Sequence, residues 1–156
     1  MIRKAGPSDA GEIARVINVS NYRAYKGIIP EEFFKCPVIT REKVLEEMGR
    51  MEFYVYEVNG KILGVAALEP RRGEGVGFVW HVYVHPEHQR RGVGTALMKR
   101  VEERARELGL RKLRLITHGR AYWAIRFYER LGFRVVDYVE RVAWRDVLME
   151  KVISRK

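Results

Sequence analysis

Two hydrophobic periods alternate along this chain. The run "IRKA" predicts a short first strand, after which Ile13, Val16 and Ile17 recur at the spacing that gathers side chains on one face of a helix. Asp9 and Glu12 precede that face three residues apart, the pattern of a capping box. The segment "NYRAYKGIIPEEFFKCPVIT" breaks the period with Gly27, Pro30 and Pro37, and it predicts an irregular connection carrying aromatic side chains. Thr40 then caps a helix that ends near Gly49. From "EFYVYEV" onward the period shortens to two. Asn59-Gly60 between that run and "KILGVAAL" predicts a tight hairpin, because both residues accept the positive φ angles of a type I′ turn. "FVWHVYV" supplies a third strand, antiparallel to its neighbour. Helical spacing returns with Val93, Leu97, Val101, Ala105 and Leu108, closed by Gly109. "KLRLIT" reads as a strand, Tyr122 to Leu131 as a helix ending at Gly132, and "FRVVDYV" and "VAWRDVLMEKVI" as two closing strands. The order is one strand, two helices, three strands, helix, strand, helix and two strands: an α/β chain with a mixed, mostly antiparallel sheet.

A length of 156 residues suits one domain with a real core, so residues 1–156 are expected to form one unit. Hydrophobic residues make up 47% and charged residues 32%, which fits neither a disordered chain nor a membrane protein. No apolar run nears the roughly 20 residues of a membrane helix, and the N-terminus lacks the apolar core of a signal peptide, so a cytoplasmic setting without membrane contact is expected. Cys36 is the only cysteine. It excludes an internal disulfide and a cysteine metal cage, and it is expected as a half-buried thiol. A formal charge of +10 favours polyanions, whether nucleic acid, an acidic surface or a phosphorylated cofactor. The basic residues are interleaved with acids, as in "KRVEERARELGLRK", so much of this charge belongs to a solvated helix face.

The stretch "VYVHPEHQRRGVGTALMKR" concentrates the chemistry. A strand leading directly into a helix aims unpaired N–H groups and the positive end of the helix dipole at one spot, where phosphate binds. Gly92 and Gly94 remove side chains there, and Arg90 and Arg91 add charge. Two familiar phosphate loops fit poorly. After Gly94 the chain has Thr95-Ala96 where a Walker loop needs Lys and Ser or Thr, and Leu97 stands where a dinucleotide fingerprint needs its third glycine.

Gln89-Arg90-Arg91-Gly92-Val93-Gly94 resembles the Q/R-x-x-G-x-G/A pattern of the GNAT superfamily, the acyl-CoA-dependent N-acetyltransferases. "AIRFYERLGFRVV", Ala124 to Val136, resembles that family's second hallmark, and with "NGKILGVAAL" and the Met149-Glu150-Lys151 tail the likeness spans nearly the whole chain. The resemblance implies a three-layer fold and acetyl-CoA as acyl donor, with coenzyme A as product. It implies that the backbone of Arg91, Gly92, Val93, Gly94 and Thr95, with the turn holding Gln89 and Arg90, takes the pyrophosphate. Val82, Tyr83 and Val84 would lie beside the pantetheine arm, whose amides pair with a strand edge as another strand would. Tyr128 falls where the family places a tyrosine that protonates the departing thiolate; the other reading is a core aromatic beside Phe127.

Two departures from the family pattern stand out. Ala121 occupies the place of an asparagine that bonds the cofactor arm, and "FVWHVYV" lacks the acidic residue that relays the substrate proton in many members. A primary amine must lose a proton before it attacks, which makes His81 the leading candidate base, with His118 and Glu69 in reserve. His85 and His88 belong to the turn, and no spacing suggests a metal. The acceptor, a small-molecule or peptide amine, is expected between Tyr22, Tyr25, Ile28, Phe33 and Phe34 on one side and Tyr138 and Trp144 on the other, with about half of these aromatics packing in the core instead. Two alternatives stay open: a basic binding module of this fold for RNA or an acidic protein, and an acyltransferase using a longer acyl-CoA. Nucleic acid is disfavoured but not excluded by the charge, and a homodimer is left open.

Overall fold

The computed structural model describes residues 1–33, 37–89 and 91–154. The expectations for Phe34, Cys36 and Arg90 lie outside the described residues. The strands are β1 (Ile2–Lys4), β2 (Glu52–Val58), β3 (Lys61–Arg71), β4 (Val76–Val84), β5 (Lys112–His118), β6 (Arg134–Glu140) and β7 (Arg145–Val152). The helices are α1 (Ala10–Tyr25), α2 (Arg41–Glu47), α3 (Val93–Glu107) and α4 (Tyr122–Arg130). The strands form one sheet in the order β1-β2-β3-β4-β5-β7-β6. Every pairing is antiparallel except that of β4 with β5.

Strand alternation sorts the core onto two faces of the sheet. Phe53, Val55, Val65 and Ala67 pack with Ile13, Val16 and Ile17 of α1 and Val44 of α2. The intervening Tyr54, Ala66 and Leu68 pack with Leu97 and Val101 of α3 and Tyr128 of α4. Three layers result, as the resemblance implied. The hairpin between β2 and β3 turns at Asn59 and Gly60, with φ of 51° and 78° as a type I′ turn requires.

Thr40 caps α2, its hydroxyl accepting from the Lys43 N–H at 3.1 Å. The expected Asp9/Glu12 capping box does not form. The Asp9 carboxylate turns back to the Gly6 N–H (2.9 Å) and to Arg3, while Glu12 crosses to accept from the Ile62 N–H at 2.8 Å. Both carboxylates thus join α1 to the sheet, and a long-range backbone donor has displaced the local one.

The feature that positions the site is a parting of β4 from β5. They pair only through Val76, Gly77 and Phe78 against Lys112, Leu113 and Arg114. Beyond that point β5 stays with β7 as far as His118, and β4 stays with β3. A β-bulge lies on the departing half of β4, because Trp80 opposes Ala67 and Tyr83 opposes Val65, so two residues of β4 face one of β3. His81 sits in this bulge with φ of 54°.

Candidate active site

A cavity of about 260 Å³ fills the parting, lined among others by Tyr25, His81, Val82, Tyr83, Thr117 and Tyr128. Its first wall is the free edge of β4. The His85 N–H donates to the Leu63 carbonyl at 2.7 Å beside the Val84–Gly64 pair. In an antiparallel ladder this turns the N–H and C=O of Val84 away from β3 and toward the parting. The Val84 carbonyl is already engaged there, accepting from Ser20 Oγ at 3.1 Å and Gln89 Nε2 at 3.2 Å. No strand covers this edge from Val79 to Val84 among the described residues.

The edge leads through the turn at Pro86 to the start of α3. Gly92 is the N-cap residue, with φ of 78° and no side-chain cap, and a Cβ there would meet nothing within 4 Å. The first-turn N–H groups of α3 therefore face an open cradle. Arg91 beside it is exposed, with no ion pair among the described residues. A Cβ on Gly94 would stand 3.1 Å from Phe127 Cζ, so its smallness also serves the contact between α3 and α4.

That contact leads to the buried Tyr128, whose ring meets Phe127 and Phe133 edge to face at 5.2 and 5.8 Å. Burial pushes the Tyr128 hydroxyl well above the ordinary phenol range, with Tyr25 and Tyr83 adding to the shift. It is a neutral donor at any physiological pH. Tyr83 is pushed up to about 12, first by burial and then by Tyr25, and its oxygen accepts from Asn21 Nδ2 at 2.9 Å. Tyr25 is also raised by burial, against the hydrogen bond it shares with Thr117. Three phenols thus converge on the cavity without a charge among them.

His81 stands on the α1 and α2 side of the sheet with Tyr83, stacked on Phe53 at 5.8 Å, and its Nε2 lies 2.7 Å from Glu47 Oε1. Glu47 is buried on α2. Burial alone would raise its carboxyl, but the hydrogen bond and charge of His81, with Arg50 and Lys43, hold it below the usual range. The two reserve bases are otherwise engaged. Glu69 accepts from Trp80 Nε1 at 2.8 Å and Arg71 Nη2 at 3.1 Å. His118 accepts from the Arg120 N–H through Nδ1 at 3.0 Å, its Nε2 is sealed without a partner among the described residues, and burial lowers its pKa. His85 likewise accepts from the Glu87 N–H in the turn.

The proposed acceptor aromatics divide. Phe33 meets Trp144 edge to face at 6.4 Å, Trp144 stacks on His118 at 5.5 Å, and Tyr25 approaches His118 at 6.2 Å and Trp123 at 6.3 Å. Tyr22 lies under Lys26 and Tyr138 under Arg145, both exposed. Ala121 is fully buried and caps α4 with no side-chain bond. Sequence reading missed Glu47, Asn21, Ser20 and Trp123. Glu47 had a signal, since it falls three residues after Val44 on the core-facing side of α2, where a carboxylate needs a partner.

Residues 19–133 match the family described as the Acetyltransferase (GNAT) family. An amino-acid acetyltransferase of Pseudomonas paraeruginosa is 32% identical over 133 residues, covering 85% of this chain and 27% of that protein. One from Ralstonia nicotianae is 39% identical over 89 residues, covering 57% of this chain and 20% of that protein. The chain therefore spans about a fifth to a quarter of the length of these curated relatives. In fold it is similar to the PaiA N-acetyltransferase of Thermoplasma acidophilum, solved in complex with coenzyme A, with a TM-score of 0.83 at 22% identity over 97% of this chain and 98% of that one. The family match encloses the free edge of β4, the Gly92 turn and Tyr128 on α4, and by it the chain belongs to the GNAT acetyltransferase family.

Proposed function

We propose that residues 1–156 act as one N-acetyltransferase domain that moves the acetyl group of acetyl-CoA directly to a primary amine in a ternary complex. The observation that carries this reading is the parting of β4 from β5, whose free edge runs straight into the uncapped start of α3. An extended arm with amides can add to such an edge, and a pyrophosphate fits the cradle at Gly92. Because Ser20 and Gln89 already hold the Val84 carbonyl, the N–H is the backbone group of Val84 left to bond the arm.

Acetyl-CoA, when bound, supplies a thioester carbonyl open to a neutral amine. The residues of this chain manage protons around it. An amine with a pKa near about 10.4 arrives as ammonium and gives one proton to His81. As the new C–N bond forms and the C–S bond breaks, Tyr128 donates to the thiolate and is reprotonated by the second proton the amine loses. One proton per turnover leaves through His81. Burial keeps the Tyr128 phenol protonated between turnovers.

The acceptor is proposed to enter between Tyr25, Phe33 and Trp144. The amino-acid acetyltransferases similar to this chain support a small amine acceptor, and a cytoplasmic setting fits the supply of acetyl-CoA. A screen of free amino acids, polyamines and peptide N-termini for coenzyme A release tests the reading. Release that depends on one acceptor class is expected; steep salt-sensitive binding of RNA with no release from any amine would replace it with the binding-module alternative.

A further inference from the structure

Glu47 is a buried carboxylate that reaches the ring of His81 in the cavity wall, and the mechanism above gives it no part. It belongs to α2, 34 residues before His81, and its side chain is 9% exposed against 20% for His81. The histidine it meets is held in an unusual backbone conformation. A left-handed residue with a side chain costs about 1 kcal/mol or more, and the bulge keeps His81 there regardless. With φ of 54° inside the bulge, the imidazole leaves the regular alternation of the strand, stacks on Phe53 and meets α2 through Nε2. Nδ1 has no hydrogen-bond partner among the described residues, and it is not one of the sealed polar atoms.

We propose that Glu47 is a positioning residue for the base: it accepts the Nε2–H of His81, fixes the tautomer with a free lone pair on Nδ1, and stabilises the imidazolium formed when Nδ1 takes the amine proton. This inference rests on the reading of His81 as the base. The step balances without a further reactant: the N–H bond of the ammonium breaks, an N–H bond forms at Nδ1, and the positive charge comes to rest beside the Glu47 carboxylate until the proton passes to solvent. A carboxylate behind a histidine acts by orientation and by charge.

The other charges around the pair are few. Lys43 and Arg50 act on Glu47 from α2 and just beyond it, Arg50 Nη2 standing 3.8 Å from Glu47 Oε2. Arg50 Nε is also 3.9 Å from Glu69 Oε2 on β3, so its charge is shared. From the cavity, Tyr25, Tyr83 and Tyr128 present only neutral phenols. Glu47 is therefore the one anion in contact with His81 among the described residues.

Any bond from Nε2–H to the Glu47 carboxylate would set the tautomer, so spectra test the bond and the split between kcat and KM tests its part in turnover. Long-range ¹H–¹⁵N spectra of histidine-labelled, ligand-free protein, titrated with acid alone, should show His81 protonated on Nε2 and free on Nδ1. Glu47→Gln should mix the tautomers. With the best amine of the screen, the same variant should lower kcat about tenfold or more while leaving the acetyl-CoA KM unchanged, and add nothing to His81→Ala. Wild-type His81 found protonated on Nδ1 would overturn the proposal without any variant being made. A Glu47→Gln spectrum identical to wild type would overturn the positioning role and leave His81 as base intact. Full turnover in His81→Ala would instead overturn the base itself.

Discussion

A Cβ on Gly94 would come within 3.1 Å of Phe127 Cζ, so the helix that begins after Gly92 and the helix that carries Tyr128 touch where any side chain is crowded. The two sequence hallmarks are therefore two sides of one contact. Gly94→Val places a branched side chain in that contact and should destabilise the fold by about 1–3 kcal/mol. By displacing Phe127 it should also disturb Tyr128. Thermal unfolding and kcat are expected to fall together in this variant, with Gly94→Ala milder in both.

Tyr128→Phe removes the phenol and keeps the packing against Phe127 and Phe133. Turnover should fall about ten- to a hundredfold with little change in acetyl-CoA affinity. Steady-state kinetics beside equilibrium binding separates the two effects. Equal losses in both would mean that the hydroxyl holds the donor and does not protonate the thiolate.

Acid should destabilise the protein through a defined set of carboxyls. The Arg3 guanidinium holds Asp9 below its usual range; burial opposes the shift at Glu47, Glu52 and Glu150, but basic partners lower all three. A carboxyl depressed in the folded state contributes stability above its unfolded pKa, near about 4, and that contribution is lost as pH falls through the folded value. Calorimetry should show a Tm insensitive to these groups from pH 6 to 8 and falling below about pH 4. Glu52→Gln, which weakens the pairing with Arg104 at 2.9 Å, should lower the neutral Tm and flatten the acid branch.

The aromatic slot gives a third kinetic signature. Trp144→Ala removes the ring that meets both Phe33 and His118, and it should raise the acceptor KM while sparing acetyl-CoA binding. A change in acetyl-CoA affinity alone would place the acceptor elsewhere.

What the residues could tell in advance depended on how local the controlling interaction was. Asn59-Gly60 set its turn and Thr40 its cap within four residues, and the three-to-four spacing of α3 was enough to mark its buried face. Asp9 and Glu12 misled because their oxygens found donors outside the first turn of α1, in Arg3, Gly6 and Ile62. The parting of β4 from β5 had no local signal, since it depends on where pairing stops after Phe78 and on a bulge whose extra residue is visible only against β3. For the same reason His81 could be named as a base candidate from its type, while its bond to Glu47 waited on the packing of α2. Gly94 was legible as part of the glycine pattern, but its contact with the Phe127 ring, 33 residues away in sequence, was not.

The central claim is that the parting and the Gly92 cradle hold acetyl-CoA, and isothermal titration of acetyl-CoA into three proteins tests it most directly. Gly92 has φ of 78°, which Asn and Asp both tolerate, so Gly92→Asn and Gly92→Asp differ at this position chiefly by one negative charge. Wild type should bind saturably at one site and Gly92→Asn close to it, while Gly92→Asp should bind about tenfold or more weakly, from a carboxylate set a few ångströms from a pyrophosphate. Absence of saturable binding to wild type, or equal affinity in the Asn and Asp variants, would contradict the assignment.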